Sequence, residues 1–197
     1  MQTEPETPQN RTERKKEQTR QRIIRAAMEM FINSGFDTTT MEQIAETADI
    51  AKGPLYNYFP VKEAILDEYM KRRFQERSSE WNLRLRELPD TPARLRMLFN
   101  ELLAGALSQR VIFEKYIIYR MQLLISFHRQ SDSEKSGLYR VVREVLKLGQ
   151  DCGELRRDLP DQMLEDLCEF AFIEAARQFY LEPESAQVSV VVEQCVD

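Results

Sequence analysis

Residues 38–59, TTTMEQIAETADIAKGPLYNYF, hold two helix-length segments, each too short to be stable alone. Thr39 followed three residues later by Glu42 forms a capping box, which predicts a helix whose inner face is Met41, Ile44, Ala45 and Ala48. The break falls at Asp49, a residue type that tolerates left-handed backbone. Ile50 then anchors a second segment that carries Leu55 and Phe59 inward. Two short helices joined by about three residues make a helix-turn-helix, whose second helix is shaped to enter a major groove.

Upstream, a helix is predicted from near Thr12, with apolar residues Ile23, Ile24, Ala27, Met30, Phe31 and Ile32 recurring close to a 3.6 period. Gly35 suits the left-handed position that ends it, and Phe36 can fold back onto Phe31 or Ile32 as a Schellman contact. Residues 1–10, MQTEPETPQN, have no large apolar side chain after Met1 and two prolines, so a flexible tail is expected there. Downstream, Pro60 closes the second short segment and a long helix runs on through VKEAILDEYMKRRFQERSSEWNLRLREL. Further helices are predicted at 92–108, 110–128, 136–151 and 160–181. In residues 184–197, Val188, Val190, Val191 and Val192 favour strands locally, so a last helix there competes with extended backbone.

Composition agrees with an all-α fold. Of 197 residues 42% are hydrophobic and 31% charged, as in a globular chain, and six glycines with eight prolines supply too few turns for a sandwich or barrel. Three cysteines at wide spacing and the single His128 disfavour a structural zinc site and exclude any mechanism needing two histidines. Neither GxGxxG nor a phosphate loop occurs. No metal, no cofactor and no enzymatic activity are therefore expected. No apolar run reaches the ~18 residues of a membrane span, which predicts a cytoplasmic protein without membrane contact.

The net charge of −5 is unevenly placed. Residues 1–62 hold nine of the 28 basic and nine of the 33 acidic side chains, so the whole excess lies beyond them. Within the first part, Arg11, Arg14, Lys15, Lys16, Arg20, Arg22 and Arg25 face only Glu13 and Glu17. A basic cluster just before a helix-turn-helix suits phosphate neutralisation, although such a run can also be a plain solvated helix face.

From about Arg20 to Leu66 the chain resembles the tetracycline-repressor (TetR) family of bacterial transcription regulators. It keeps the helix-ending Gly-aromatic pair, the threonine run, IA..A, and a KG.LY.YF..K signature. The resemblance implies a homodimeric, all-helical repressor with an N-terminal three-helix head. Its C-terminal bundle would bind a small molecule that controls affinity for double-stranded operator DNA. It places the recognition helix at Ala51–Asn57, with Lys52, Gly53, Pro54 and Asn57 nearest the bases. Lys52 can donate to guanine O6 and N7, Asn57 can pair with a base edge, and Gly53 allows close approach. Tyr56, Tyr58, Thr39, Thr40, Lys62, Arg14, Lys15 and Arg20 are the expected positioning contacts. Ala51, Pro54 and Val61 depart from the family pattern, each removing a capping or phosphate bond.

Two segments of the C-terminal part suggest sites of their own. In VIFEKYIIYRMQLLISF one stripe contains Phe113, Tyr116, Ile117, Arg120, Leu124, Phe127 and His128, a cation among aromatic and aliphatic side chains. Arg120 either meets an acidic group on an apolar effector or pairs with Glu101, Glu169 or Glu174, since a buried cation needs a partner. MLEDLCEFAFIEAARQFY has two apolar faces, Met163, Leu167 and Phe170 on one, and Leu164, Cys168, Ala171, Ala175 and Phe179 on the other. The second, with its small residues, is the expected dimer interface, and Cys168 reads as packing. Cys152 is open to a redox role.

The expected organisation is a tail at 1–10, a helix-turn-helix DNA-binding domain at 11–60, and a ligand-binding and dimerisation domain at 61–197. A constitutive DNA-binding regulator without effector shares this sequence pattern. The other alternative is a helical small-molecule-binding protein with a vestigial head, against which the intact KGPLYNYF segment argues.

Overall fold

The computed structural model describes residues 8–106, 109–127, 131, 134–181, 192–193 and 196. They form α1 (Pro8–Asn33), α2 (Met41–Thr47), α3 (Lys52–Tyr58), α4 (Lys62–Glu87), α5 (Thr91–Ala106), α6 (Arg110–Leu124), α7 (Gly137–Asp151) and α8 (Asp161–Leu181), with no strand among the described residues. Two compact units emerge, Met1–Tyr69 and Met70–Asp197, with the boundary inside α4 rather than at residue 60. The first turns of α4 belong with the head because Lys62 and Glu68 are bonded to it.

In the head, helix starts and stops follow side-chain chemistry. Backbone helix begins at Pro8, inside the expected tail, because proline's fixed φ suits a first turn. The rest of the expected tail lies outside the described residues. α1 ends at Asn33, the chain turns at Gly35, φ +94°, and the Phe36 ring returns to 4.6 Å from Phe31. Ile23, Ile24, Ala27 and Phe31 are buried as their period predicts, whereas Ile32 faces solvent.

The α2 cap is shifted by one residue from the sequence expectation. Thr40, not Thr39, is the N-cap: its Oγ1 accepts from the Gln43 N–H at 3.3 Å while Gln43 Oε1 accepts from the Thr40 N–H at 2.9 Å. Three threonines in a row allow either register, and the buried Thr39 hydroxyl is spent on the Gly35 carbonyl at 2.7 Å. Met41, Ile44, Ala45 and Ala48 are buried, and Asp49 turns the chain at φ +52°. α3 has no side-chain cap at Ala51, as its alanine predicts, and among its seven residues only Leu55 is buried.

The loop before α2 is held by a cation. Lys62 Nζ donates to the carbonyls of Phe36 at 2.7 Å and Thr39 at 3.0 Å, with a longer bond to Asp37 at 3.4 Å. The same ammonium lies 4.6 Å from the centroid of the Phe36 ring, a cation–π contact. Lys62 is thus partly withdrawn from solvent, and its ammonium is engaged by carbonyls.

The second unit packs α7 against α5 and α8, and α8 against α6. Its core includes Trp81, Leu85, Leu98, Phe99, Leu103, Leu138, Val142, Val145, Phe172 and Ile173. Phe172 joins two parts of that core, 5.3 Å from Phe99 and 6.3 Å from Phe113 between ring centroids. Buried Arg94 donates to the Leu85 and Leu88 carbonyls, satisfying the end of α4. α6 stops at Leu124, four residues earlier than predicted, and Phe127 beyond it is fully exposed, so no burial drives the helix further. The possible helix at 184–197 lies outside the described residues except for Val192, Glu193 and Val196.

Arg120 is completely buried. Its Nε donates to Glu169 Oε1 at 3.0 Å, and Nη1 donates to the Glu134 carbonyl at 2.7 Å. Of the two readings of this cation, pairing with a helix carboxylate is the one realised. Glu165, one turn before Glu169 on α8, is likewise buried and bonded to Arg143 at 2.6 Å. Removing one partner of a buried pair leaves an uncompensated charge. Arg120→Met is therefore expected to lower stability in chemical denaturation by about 3–5 kcal/mol, and Arg120→Met with Glu169→Leu to recover most of the loss. A single variant as stable as the parent contradicts the pairing.

Candidate functional site

α3 presents a nearly continuous outward surface. Lys52, Gly53, Pro54, Tyr56 and Asn57 are exposed, Tyr58 is half-buried, and Leu55 holds the helix to the head. A Cβ built on Gly53 would meet nothing within 4 Å, so the backbone there is open to close approach. Thr40 and Gln43 are exposed at the neighbouring start of α2. All of these except Leu55 and Gln43 are residues of the expected DNA face.

Other expected contacts are placed differently. Arg14 and Lys15 are exposed on the first turns of α1. Arg20 turns toward the head, 3.7 Å from Glu68 and 5.6 Å over the Phe59 ring, so its charge is shared internally. Thr39 and Lys62 are bound to carbonyls as described. A residue that sequence reasoning missed is Glu42, ion-paired with Lys52. The hydrogen bond from Lys52 holds the Glu42 carboxyl below its usual range, and the same bond raises the Lys52 ammonium. Acid and base three and thirteen residues from Thr39 carry no periodic signal, so only the α2–α3 turn reveals the pair.

The C-terminal unit contains a cleft of about 610 Å³ between α6 and α8. Ile117, Ile118, Met121, Ile173 and Leu181 give it apolar walls, and Arg110, Glu114, Gln122, Arg177 and Tyr180 its polar margin. Arg110 donates to the Tyr180 carbonyl at 2.8 Å and sits 4.8 Å over its ring, while Tyr180 Oη donates to the Arg110 carbonyl at 2.7 Å. Burial pushes the Tyr180 phenol up to about 12, so it is a neutral donor at physiological pH. Arg177 is bonded to Glu174 at 2.7 Å.

Of the expected ligand stripe only Ile117 lines this cleft. Phe113 and Tyr116 are core side chains, Leu124 is half-buried, Phe127 is exposed, and Arg120 is the buried partner of Glu169. Within the described stripe, then, Ile117 is the residue at this cleft and Arg120 is taken up by Glu169. His128 lies outside the described residues.

On α8 the chain itself buries part of the expected dimer face. Ala175 and Phe179 are buried within the chain, and Leu164, Cys168 and Ala171 are half-buried beside them. Met163, Leu167 and Phe170, the other apolar face, are exposed. Burial pushes the Cys168 thiol up to about 11, which keeps it protonated and unreactive. Cys152 is exposed as a free thiol. Among the described residues no cluster of three or more His, Cys, Asp or Glu could hold a metal, and no helix is long and apolar enough to cross a membrane.

Comparison with known proteins places this architecture. Residues 23–69 match the family model for bacterial regulatory proteins of the tetR family. The transcriptional regulator TtgR of Pseudomonas putida is 29% identical over 199 aligned positions, covering 95% of this chain and 92% of TtgR. The repressor DhaR of Mycobacterium sp. is 23% identical over 155, covering 75% of each. Among solved structures, the repressor FadR of Thermus thermophilus, in complex with lauroyl-CoA, superposes with a TM-score of 0.71 at 27% identity, covering 90% of this chain and 91% of FadR. The tetR-family match thus falls on the helix-turn-helix segment, and the fold is shared over most of the chain with a TetR-family repressor; together these likenesses support a TetR-family transcriptional regulator.

Proposed function

We propose that this repressor binds a roughly palindromic operator as a homodimer and releases it when an apolar effector occupies the α6–α8 cleft. The observation that carries the DNA reading is α3, seven residues long with one buried side chain and an open backbone at Gly53. A face so lightly committed to the interior suits a major groove, where Lys52 and Asn57 meet base edges and Tyr56 and Thr40 meet phosphates. One head covers only a few base pairs, so a twofold pair of heads supplies the reach of a specific site. The exposed Met163, Leu167 and Phe170 on α8 offer a self-complementary apolar strip for such pairing, in place of the Ala175 and Phe179 face.

The protein is expected to sediment as a dimer and to bind a duplex selected from a random pool with two chains per site, with affinity falling steeply as salt rises. Lys52→Ala costs about 1–3 kcal/mol on that duplex and relaxes preference at one base position, whereas Lys15→Ala weakens selected and scrambled duplexes alike. Equal losses for both variants on both duplexes refute the division between reading and positioning.

For the effector, the cleft combines apolar walls with a margin of mixed charge, Arg110, Arg177 and Glu114, a pattern that suits an amphipathic ligand. Lauroyl-CoA, bound by the Thermus relative, is the first probe. It is expected to lower duplex affinity about 5- to 150-fold, the usual range of allosteric coupling. Ile118→Asp, which puts a charge into the exposed apolar wall, is expected to abolish that response while leaving duplex affinity intact. Release that persists in Ile118→Asp, measured by fluorescence anisotropy, contradicts the cleft as the effector site.

A further inference from the structure

The side chain expected to read a base is already engaged. Lys52, first residue of α3, is ion-paired with Glu42 in the first turn of α2, and the two side chains are 60% and 51% exposed. Thr40 and Gln43 complete the capping box of α2, and the Glu42 carboxyl, besides meeting Lys52, accepts from its own backbone N–H and from the Thr40 side chain in that first turn. Glu42 places a carboxylate on the surface that must approach a polyanion, where it costs affinity for every phosphate nearby.

The chemistry of the ammonium suggests what that carboxylate does. A lysine carries three N–H donors. It can keep one on Glu42 and offer the others to O6 and N7 of guanine, because the base edge is neutral and brings no charge toward the carboxylate. A phosphate is different. To take Lys52 it must bring a second anion beside Glu42 or displace it, exchanging one anionic acceptor for another with little gain. The pair is exposed, so it is weak enough to adjust on binding.

We propose that Glu42 is a specificity-determining residue: it holds the Lys52 ammonium available to a neutral guanine edge and withholds it from phosphate, depressing binding to random DNA more than to the operator. The inference rests on the DNA-binding reading above and concerns discrimination within it.

The test compares wild type, Glu42→Gln, Lys52→Ala and the double variant on two duplexes, one selected from a random pool by the wild type and one scrambled from it. Fluorescence anisotropy over a salt series gives both affinities. Glu42→Gln is expected to tighten the scrambled duplex more than the selected one, lowering the specificity ratio by about threefold to fivefold, the scale of an exposed pair. Its salt slope on scrambled DNA steepens by about one unit, as Lys52 gains a phosphate. In the Lys52→Ala background the same substitution leaves the ratio unchanged. An equal gain on both duplexes, an unchanged ratio, or an equal fall in the ratio without Lys52 overturns the inference and leaves the DNA reading standing. Failure of the wild type to enrich any duplex overturns both.

Discussion

The head depends on a lysine among carbonyls. Lys62 closes the loop between α1 and α2 by donating to Phe36 and Thr39 while its charge rests against the Phe36 ring. That ring is itself seated on Phe31 by the left-handed turn at Gly35. α2 and α3, seven residues each, are far shorter than an isolated helix needs to persist in water. They exist because Met41, Ile44, Ala45 and Leu55 have a fixed surface to bury against, and the direction of α3 is inherited from that surface. A lysine committed in this way fixes the loop from which α2 starts.

In the C-terminal unit the corresponding constraint is charge burial. Arg120 with Glu169, and Arg143 with Glu165, fix α8 by bonds whose loss would strand a charge in the interior. Such pairs specify which way a helix faces more than they stabilise it. Once Glu165 and Glu169 point inward, Ala175 and Phe179 follow them into the core, and Met163, Leu167 and Phe170 are left outside. The same rotation sets Ile173, Arg177 and Leu181 against α6 and so builds the cleft.

Local chemistry made the head readable from sequence. A glycine needed at positive φ, an aspartate at a left-handed turn and apolar residues at helical spacing each leave a mark in the chain, and α1, α2 and α3 lie where those marks put them. Where two neighbours were chemically equivalent the reading slipped, as with Thr39 and Thr40 at the α2 cap. α8 was ambiguous for a different reason. It is apolar on two sides, and its orientation is decided by carboxylate partners on α6 and α7 that no local pattern announces. Arg120 could be recognised as a buried cation, but the choice of Glu169 among several carboxylates, like the pairing of Lys52 with Glu42, belongs to tertiary structure.

The most direct measurement of the central claim is a backbone amide NMR titration of the full chain with a duplex selected from a random pool. The account predicts chemical-shift changes at Arg14 and Lys15, at Thr40–Gln43 and throughout Lys52–Tyr58, with the buried amides of α6 unmoved. Changes centred on the α6–α8 cleft with α3 silent would contradict it.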